Sequence, residues 1–153
     1  MASNANRTVV LVGDPIVTEQ RLAGGAITPG HLAALTSTGT VVVHAGAALN
    51  AILCFALERA EIGKGMDDAY ASGDNVKLGY FSGGQVVNAL VAAAAPAIAI
   101  GDFLESAGNG TVRKQVTDAA TDDTQRLACV GQAEEAVDNS GGGASVRIAM
   151  RLR

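Results

Sequence analysis

The amino-acid sequence predicts a mainly β protein: a small β-barrel or β-tulip-like domain with short strands and at most one or two short helices. Short β-branched and apolar runs alternate with glycine, proline and aspartate turn signals about every ten residues, a spacing typical of all-β barrels and sandwiches. The last segment supports this, because apolar residues from Val146 to Leu152 alternate with arginine and alanine and so predict a strand with one buried face. The chain has 153 residues, which suits one domain with one hydrophobic core.

Individual strands are predicted where apolar and β-branched residues run between turn residues. In chain order these runs are Thr8–Val12, Ile16–Thr18, Thr40–Val43, Ala51–Leu57, Asn75–Tyr80, Gln85–Val91 and Val146–Leu152. Two alanine-rich segments, residues 47–60 and 89–95, fit either a strand or a short helix, because alanine favours helices and disfavours strands.

We expect two regions in the chain, a flexible N-terminal arm at residues 1–8 and a single barrel-like domain at residues 9–153. Within the domain, residues 26–44 and 97–115 share alanine, isoleucine and glycine positions and a Gly-Thr-Val step at a constant offset of 71 residues. The pattern predicts one β-hairpin design used twice. A cysteine follows each copy in an apolar run, at Cys54 and Cys129, and both are expected to be buried thiols rather than a disulfide.

A glycine–aspartate step recurs three times, at Gly13-Asp14, Gly73-Asp74 and Gly101-Asp102. A carboxylate beside glycine-rich turns can hold a phosphate or a metal, but a catalytic carboxylate is not expected in three copies. The recurrence therefore favours turns, in which glycine takes a positive φ and aspartate accepts hydrogen bonds from neighbouring amides.

Composition and residue spacing point away from several functions. The net charge of −4 disfavours a nucleic-acid surface, and the apolar run at residues 89–100 contains Pro96 and is too short for a membrane span. The N-terminus lacks the apolar stretch of a signal peptide, so we expect use without secretion. The two histidines, His31 and His44, are expected at the surface or in an interface, and with the cysteines they are too scattered for zinc or catalysis. We therefore expect no enzyme activity, no metal and no cofactor.

Several turn-and-strand motifs follow one another along the chain: Gly-Asp before an apolar residue, a Gly-x-Val strand, an apolar run with a Val-Gly step, and a closing alternating strand. They occur at Gly73-Asp74-Asn75-Val76, Gly101-Asp102-Phe103-Leu104, Gly108-Asn109-Gly110-Thr111-Val112, Val130-Gly131-Gln132-Ala133 and Val146–Leu152. In these motifs the chain resembles the small capsid decoration, or cement, proteins of tailed bacteriophages. The resemblance covers residues 8 to 153, and residues 47–61 depart from it by being longer and richer in alanine.

The resemblance implies a β-barrel or β-tulip-like fold and a homotrimer on the outside of the phage head, with the host cytoplasm as its location during assembly. It implies two partners, the major capsid protein and further copies of the chain, with no nucleic acid and no membrane. Such a trimer stabilises the expanded capsid lattice through several modest contacts that act together. The arm supplies the candidate interaction residues, expected to order on the capsid or on a neighbouring trimer: Ala2, Ser3, Asn4, Ala5, Asn6, Arg7 and Thr8.

Two other functions stay open from the residues alone. One is a small oligomeric β-barrel enzyme or ligand-binding protein, in which Asp74, Asp102 or His31 from adjacent chains meet in a site between subunits. The other is a tail or fibre-tip barrel module, which assembles along an axis and not on a lattice.

Overall fold

The structure of the protein, a computed structural model, describes residues 8–116 and 122–153. Within these residues lie eleven strands, one α-helix and one short 3-10 helix, so the predicted mainly β fold is confirmed. The strands are β1 (Val10–Val12), β2 (Val17–Leu22), β3 (Ala33–Leu35), β4 (Val41–Val43), β5 (Cys54–Ala56), β6 (Asn75–Tyr80), β7 (Val86–Val91), β8 (Phe103–Gly108), β9 (Thr111–Lys114), β10 (Cys129–Ala133) and β11 (Val146–Leu152). The 3-10 helix spans Ala60–Ile62, and helix α1 spans Asp122–Ala128.

Five strands close a barrel in the order β7-β11-β10-β8-β9. Neighbours are antiparallel except β9 and β7, whose parallel pairing at Val112 and Val91 closes the barrel. β11 pairs with β7 along one edge. Along the other edge of β7, β1 pairs antiparallel with Val10 opposite Val87, and β9 pairs farther along at Val91.

Alternate side chains of β11 point into the barrel interior, as its sequence pattern predicts. Ile148, Met150 and Leu152 are buried in the barrel core, where they pack with apolar residues of the other barrel strands. Val146 begins the same sequence pattern but is exposed, because it lies at the open end of the barrel. The period-2 pattern therefore predicts the buried face correctly for all but its first residue.

A second layer, which we call the side layer, lies beside the barrel. β2, β6 and β5 form a three-stranded antiparallel sheet, and β3 and β4 form a hairpin. The side layer has its own hydrophobic core, which includes Val41, Leu78 and Cys54 of β5. Phe55 of the same strand lies in the barrel core, edge-to-face with Phe81 at 6.0 Å between ring centroids. β5 therefore joins the two layers.

Both alanine-rich segments contain a strand and loops, and helical residues begin only at Ala60. β5 pairs with β6 along one edge, and Phe55 bridges to Leu32 on the other, so burial between neighbours overrides the helix preference of alanine. In the second segment β7 continues to Val91, and a turn follows at Ala94, whose φ is +54°.

Residues 26–44 and 97–115 each contain a hairpin, and the two hairpins have the same pairing register. An isolated bridge precedes each one, at Ile27 and at Ile98. The corresponding pairs are Ala33–Val43 and Leu104–Lys114, Ala34–Val42 and Glu105–Arg113, and Leu35–Val41 and Ser106–Val112. One copy, β3–β4, lies in the side layer, and the other, β8–β9, lies in the barrel.

The tip of the β8–β9 hairpin joins the barrel to the side layer. The Gly110 carbonyl accepts a hydrogen bond from the Leu32 N–H at 2.8 Å, and the Gly110 N–H donates to the His44 carbonyl at 2.9 Å. Ser106 is fully buried at this tip, whereas Asn109 is exposed. The tip therefore packs largely against its own chain.

Candidate interaction surface

The candidate interaction residues lie at the start of the chain, and Ala2 to Arg7 fall outside the described residues. Thr8 is anchored: its hydroxyl donates to the Glu58 carboxylate, and its carbonyl accepts from the Asn88 side-chain amide at 3.3 Å. The Val9 N–H donates to the second Glu58 oxygen at 3.1 Å, and the Val9 side chain is buried in the barrel core. The chain therefore enters the described structure at a fixed point beside β7.

One end of the barrel carries a wide groove, which we call the end groove. It has a volume of about 930 Å³ and lies between residues 97–102 and 134–138. Ile98 and Val137 join these segments by reciprocal backbone hydrogen bonds of 2.7 and 2.9 Å. Ile100 is 71% exposed in the groove wall, beside the Asp102–Lys114 ion pair at 2.8 Å. Apolar area with charged residues around it is typical of protein contact surfaces.

A smaller apolar cleft, which we call the side cleft, opens in the side layer with a volume of about 290 Å³. Leu35 and Ile52 line it and are both exposed, Ile52 at 72%. The Tyr80 hydroxyl donates to Glu19 at 2.7 Å, so the polar end of that ring is already bound. Burial raises the pKa of the Cys54 thiol to about 12, which keeps it protonated. The side cleft therefore offers mainly apolar contacts.

The three residues proposed for a site between subunits each close a tight turn within the chain. In each four-residue turn the side chain of the last residue accepts a hydrogen bond from the backbone N–H of the first residue. The third residue is a glycine with a positive φ. The bonds are Ala71 to Asp74 at 2.7 Å, Ala99 to Asp102 at 2.8 Å and Thr28 to Nδ1 of His31 at 3.0 Å. The structure thus gives each of them a separate local partner.

The turn interpretation of the Gly-Asp steps is confirmed for Asp74 and Asp102. The Lys114 ammonium, hydrogen-bonded to Asp102, holds the pKa of that carboxyl below its ordinary value. Asp14 differs, because its backbone carbonyl, and not its carboxylate, receives a bond from the Gln85 side chain.

The histidines are more enclosed than the sequence predicts, and the surface prediction is wrong for His44. Its Nε2 lies 3.0 Å from the Asn50 carbonyl, which only accepts, so in the neutral imidazole Nδ1 accepts from the Ser106 hydroxyl at 2.9 Å. His31 is half-buried against the β8–β9 hairpin tip. Packing of one hairpin on the other, which no local sequence pattern encodes, covers both rings.

Both cysteines are free thiols, as predicted. Cys54 is buried, but the expected burial is wrong for Cys129, which begins β10 and is partly exposed. Across residues 8–116 and 122–153, no three His, Cys, Asp or Glu side chains are grouped to hold a metal ion. No helix in those ranges has the length and apolarity needed to cross a bilayer.

The end groove and the side cleft were not identified from the sequence. Both are lined by residues from distant segments, and a short apolar run does not reveal whether its side chains face a core or the solvent. One signal was present at Ile100, which precedes the glycine of a Gly-Asp turn and therefore projects from the surface.

Comparison with known proteins gives a match in structure and none in sequence. The chain matches no protein-family model and no curated protein. Among solved structures it is similar to the head fiber gp8.5 N base of bacteriophage phi29, with a TM-score of 0.57 and 13% sequence identity. The alignment covers 90% of this chain and 93% of the other. At this identity the likeness concerns the fold alone, and the two chains share that fold over nearly their whole length.

Proposed function

We propose that the protein is a non-enzymatic structural component of a phage virion that binds the outside of the head as a homotrimer and stabilises the major-capsid lattice. The observation that carries the proposal is the fold shared with a phage head fiber base over 90% of this chain. The exposed apolar side chains of the end groove and side cleft support it, because such patches favour protein contacts. The net charge of −4 suits a protein that does not bind the packaged DNA.

The arm is proposed as a contact with the capsid or with a neighbouring trimer. Thr8 is bound to Glu58 and Asn88, so Ala2 to Arg7 are tethered at a defined place on the domain. Three arms in one trimer would bind as linked modules, and each further contact would then be intramolecular.

The experiment uses purified protein and expanded phage heads that lack it. Light scattering is expected to give the mass of a trimer, and sedimentation with the heads is expected to carry the protein into the pellet. Bound protein should raise the temperature at which the heads break open, because a ligand of the intact lattice stabilises it by mass action. A monomer at micromolar concentration that leaves the heads unbound would contradict the proposal.

A second candidate, the base of a head-attached fibre, is favoured by the name of the similar structure. Such a base would also bind the intact lattice and raise its disruption temperature, so a different measurement separates the two functions. Head-bound protein that captures fibre protein from solution is a fibre base, and head-bound protein that captures none is a decoration protein. A tail or fibre-tip module would instead bind tails or fibres and leave bare heads free.

An enzyme or ligand-binding protein with an intersubunit site makes a different prediction. Replacing Asp102 by alanine would then abolish a small-molecule activity while the trimer stays intact. For a structural protein, the same change is expected to affect only the stability of its turn.

A further inference from the structure

Two hydrogen bonds between Thr28 and His31 close the turn that these residues begin and end. The His31 N–H donates to the Thr28 carbonyl at 3.0 Å, with Pro29 second and Gly30 third at a φ of +94°, the arrangement of a type II turn. In return, the Thr28 N–H donates to Nδ1 of His31 at 3.0 Å. Nδ1 accepts this bond only while it carries no proton, because a protonated imidazole donates from both nitrogens.

This turn lies where the side layer meets the barrel. The His31 carbonyl accepts from the Ala56 N–H of β5 at 3.0 Å, and the next residue binds the β8–β9 hairpin tip. From β11, Arg147 donates to the Pro29 carbonyl at 3.0 Å and pairs with Asp67 at 3.2 Å. The Arg147 side chain is only 11% exposed. The turn therefore has hydrogen-bond partners in both layers and lies at their junction.

A proton on His31 acts against these contacts. It removes the acceptor of the Thr28 amide and places a second cation beside the Arg147 guanidinium, whose own counter-ion is Asp67. The neighbours from β5 and the hairpin tip, Ala56 and Gly110, bring no titratable side chain. In keeping with this geometry, burial and then Arg147 lower the pKa of His31 from 6.5 to about 4.

We infer that His31 is an acid-released latch: when neutral it holds the Thr28–His31 turn closed between the side layer and the barrel, and when protonated it lets that junction open. The direction follows from linkage. A histidine with a pKa of about 4 in the folded chain and 6.5 in the unfolded chain gives full stability above pH 6.5, which is lost as the pH falls toward 4.

The second hairpin copy provides an internal comparison. Asp102 lies 71 residues after His31 and closes the corresponding turn by accepting from the Ala99 N–H at 2.8 Å. Lys114 pairs with this carboxylate and lowers its pKa, so the Asp102 bond persists in the range where the His31 bond is lost. The two turns therefore have matching hydrogen bonds and different responses to acid.

The test compares the full-length chain with His31→Asn, whose side-chain oxygen can accept the Thr28 bond but does not titrate. Urea unfolding is measured at pH 7 and pH 4.5. Between these values the unfolding equilibrium constant of the wild type should rise at least about tenfold more than that of the variant. His31→Ala lacks the acceptor and is expected to be weakened at both values. An equal pH response of wild type and His31→Asn would overturn the latch.

A second measurement needs no variant. An NMR titration of the wild-type imidazole is expected to place the His31 midpoint well below 6.5. Amide exchange of Thr28, corrected for intrinsic rates, should accelerate relative to Ala99 as the pH falls from about 6.5 to 4.5. A midpoint at or above 6.5, or equal protection of the two amides throughout, would refute the inference.

Discussion

Replacing Gly30 by alanine tests how closely the Thr28–His31 turn fits between the two layers, with Gly84→Ala as the matched control. The two glycines have nearly the same φ, +94° and +92°. An alanine Cβ at Gly30 would lie 2.8 Å from the Asn88 carbonyl oxygen in β7 and 2.6 Å from Nη1 of Arg147. At Gly84 it would meet nothing within 4 Å.

The expected loss of stability has two parts. A positive φ costs a non-glycine residue about 1–2 kcal/mol at either position. At Gly30, Arg147 can move aside only by losing its bond to Pro29, and the Asn88 carbonyl is held in a barrel strand, which adds about 2 kcal/mol. Gly30→Ala should therefore lower the free energy of unfolding by about 3–4 kcal/mol, and Gly84→Ala by about 1–2 kcal/mol.

Urea unfolding at pH 7.5, followed by circular dichroism, measures both variants on the same scale. At this pH His31 is neutral, so its titration does not contribute. If the two variants lost the same free energy within about 0.5 kcal/mol, the close packing of the turn against β7 and Arg147 would be wrong.

Three further predictions concern single contacts and surfaces. Asp74→Ala removes the carboxylate that closes its turn and should cost about 1 kcal/mol in urea unfolding, whereas Asp14→Ala, where no such bond is formed, should cost less than half of that. Ile52→Ser in the side cleft should reduce head binding or the trimer fraction, while Ile62→Ser, an isoleucine 57% exposed on the 3-10 helix, should leave both unchanged. Deleting residues 2–7 should weaken sedimentation with heads and leave the melting temperature unchanged; unaltered sedimentation would remove the arm from the proposal.

Strands with a strong local pattern could be predicted from the sequence. β6 has the predicted bounds, and β11 has the predicted buried face apart from its first residue. β2 extends to Leu22, beyond the predicted Ile16–Thr18. Its Glu19-Gln20-Arg21 stretch is polar and so does not predict a strand, but pairing with β6 holds it in one. In β5, burial on both faces decides the conformation, and the alanine-rich sequence of that region could not show it.

The surfaces and histidine environments were harder to predict, because they depend on how distant segments pack. The glycine–aspartate turns at Asp74 and Asp102 were predictable, since the two residues and their spacing determine the turn. The placement of His31 could not be predicted. Its turn is of the same type, but Gly110 and Arg147, which are far away in the chain, cover it.

The position of β1 has a consequence for how the chain folds as it is synthesised. The strands of the side layer lie between Val17 and Tyr80 and can pair with one another as soon as they leave the ribosome. All five barrel strands come from Val86 onward, so β1, although it precedes the other described strands in the chain, has no partner until β7 appears. β1 is thus placed only after every strand of the side layer has been synthesised, and it can pair with β7 before the four strands β8–β11 are synthesised.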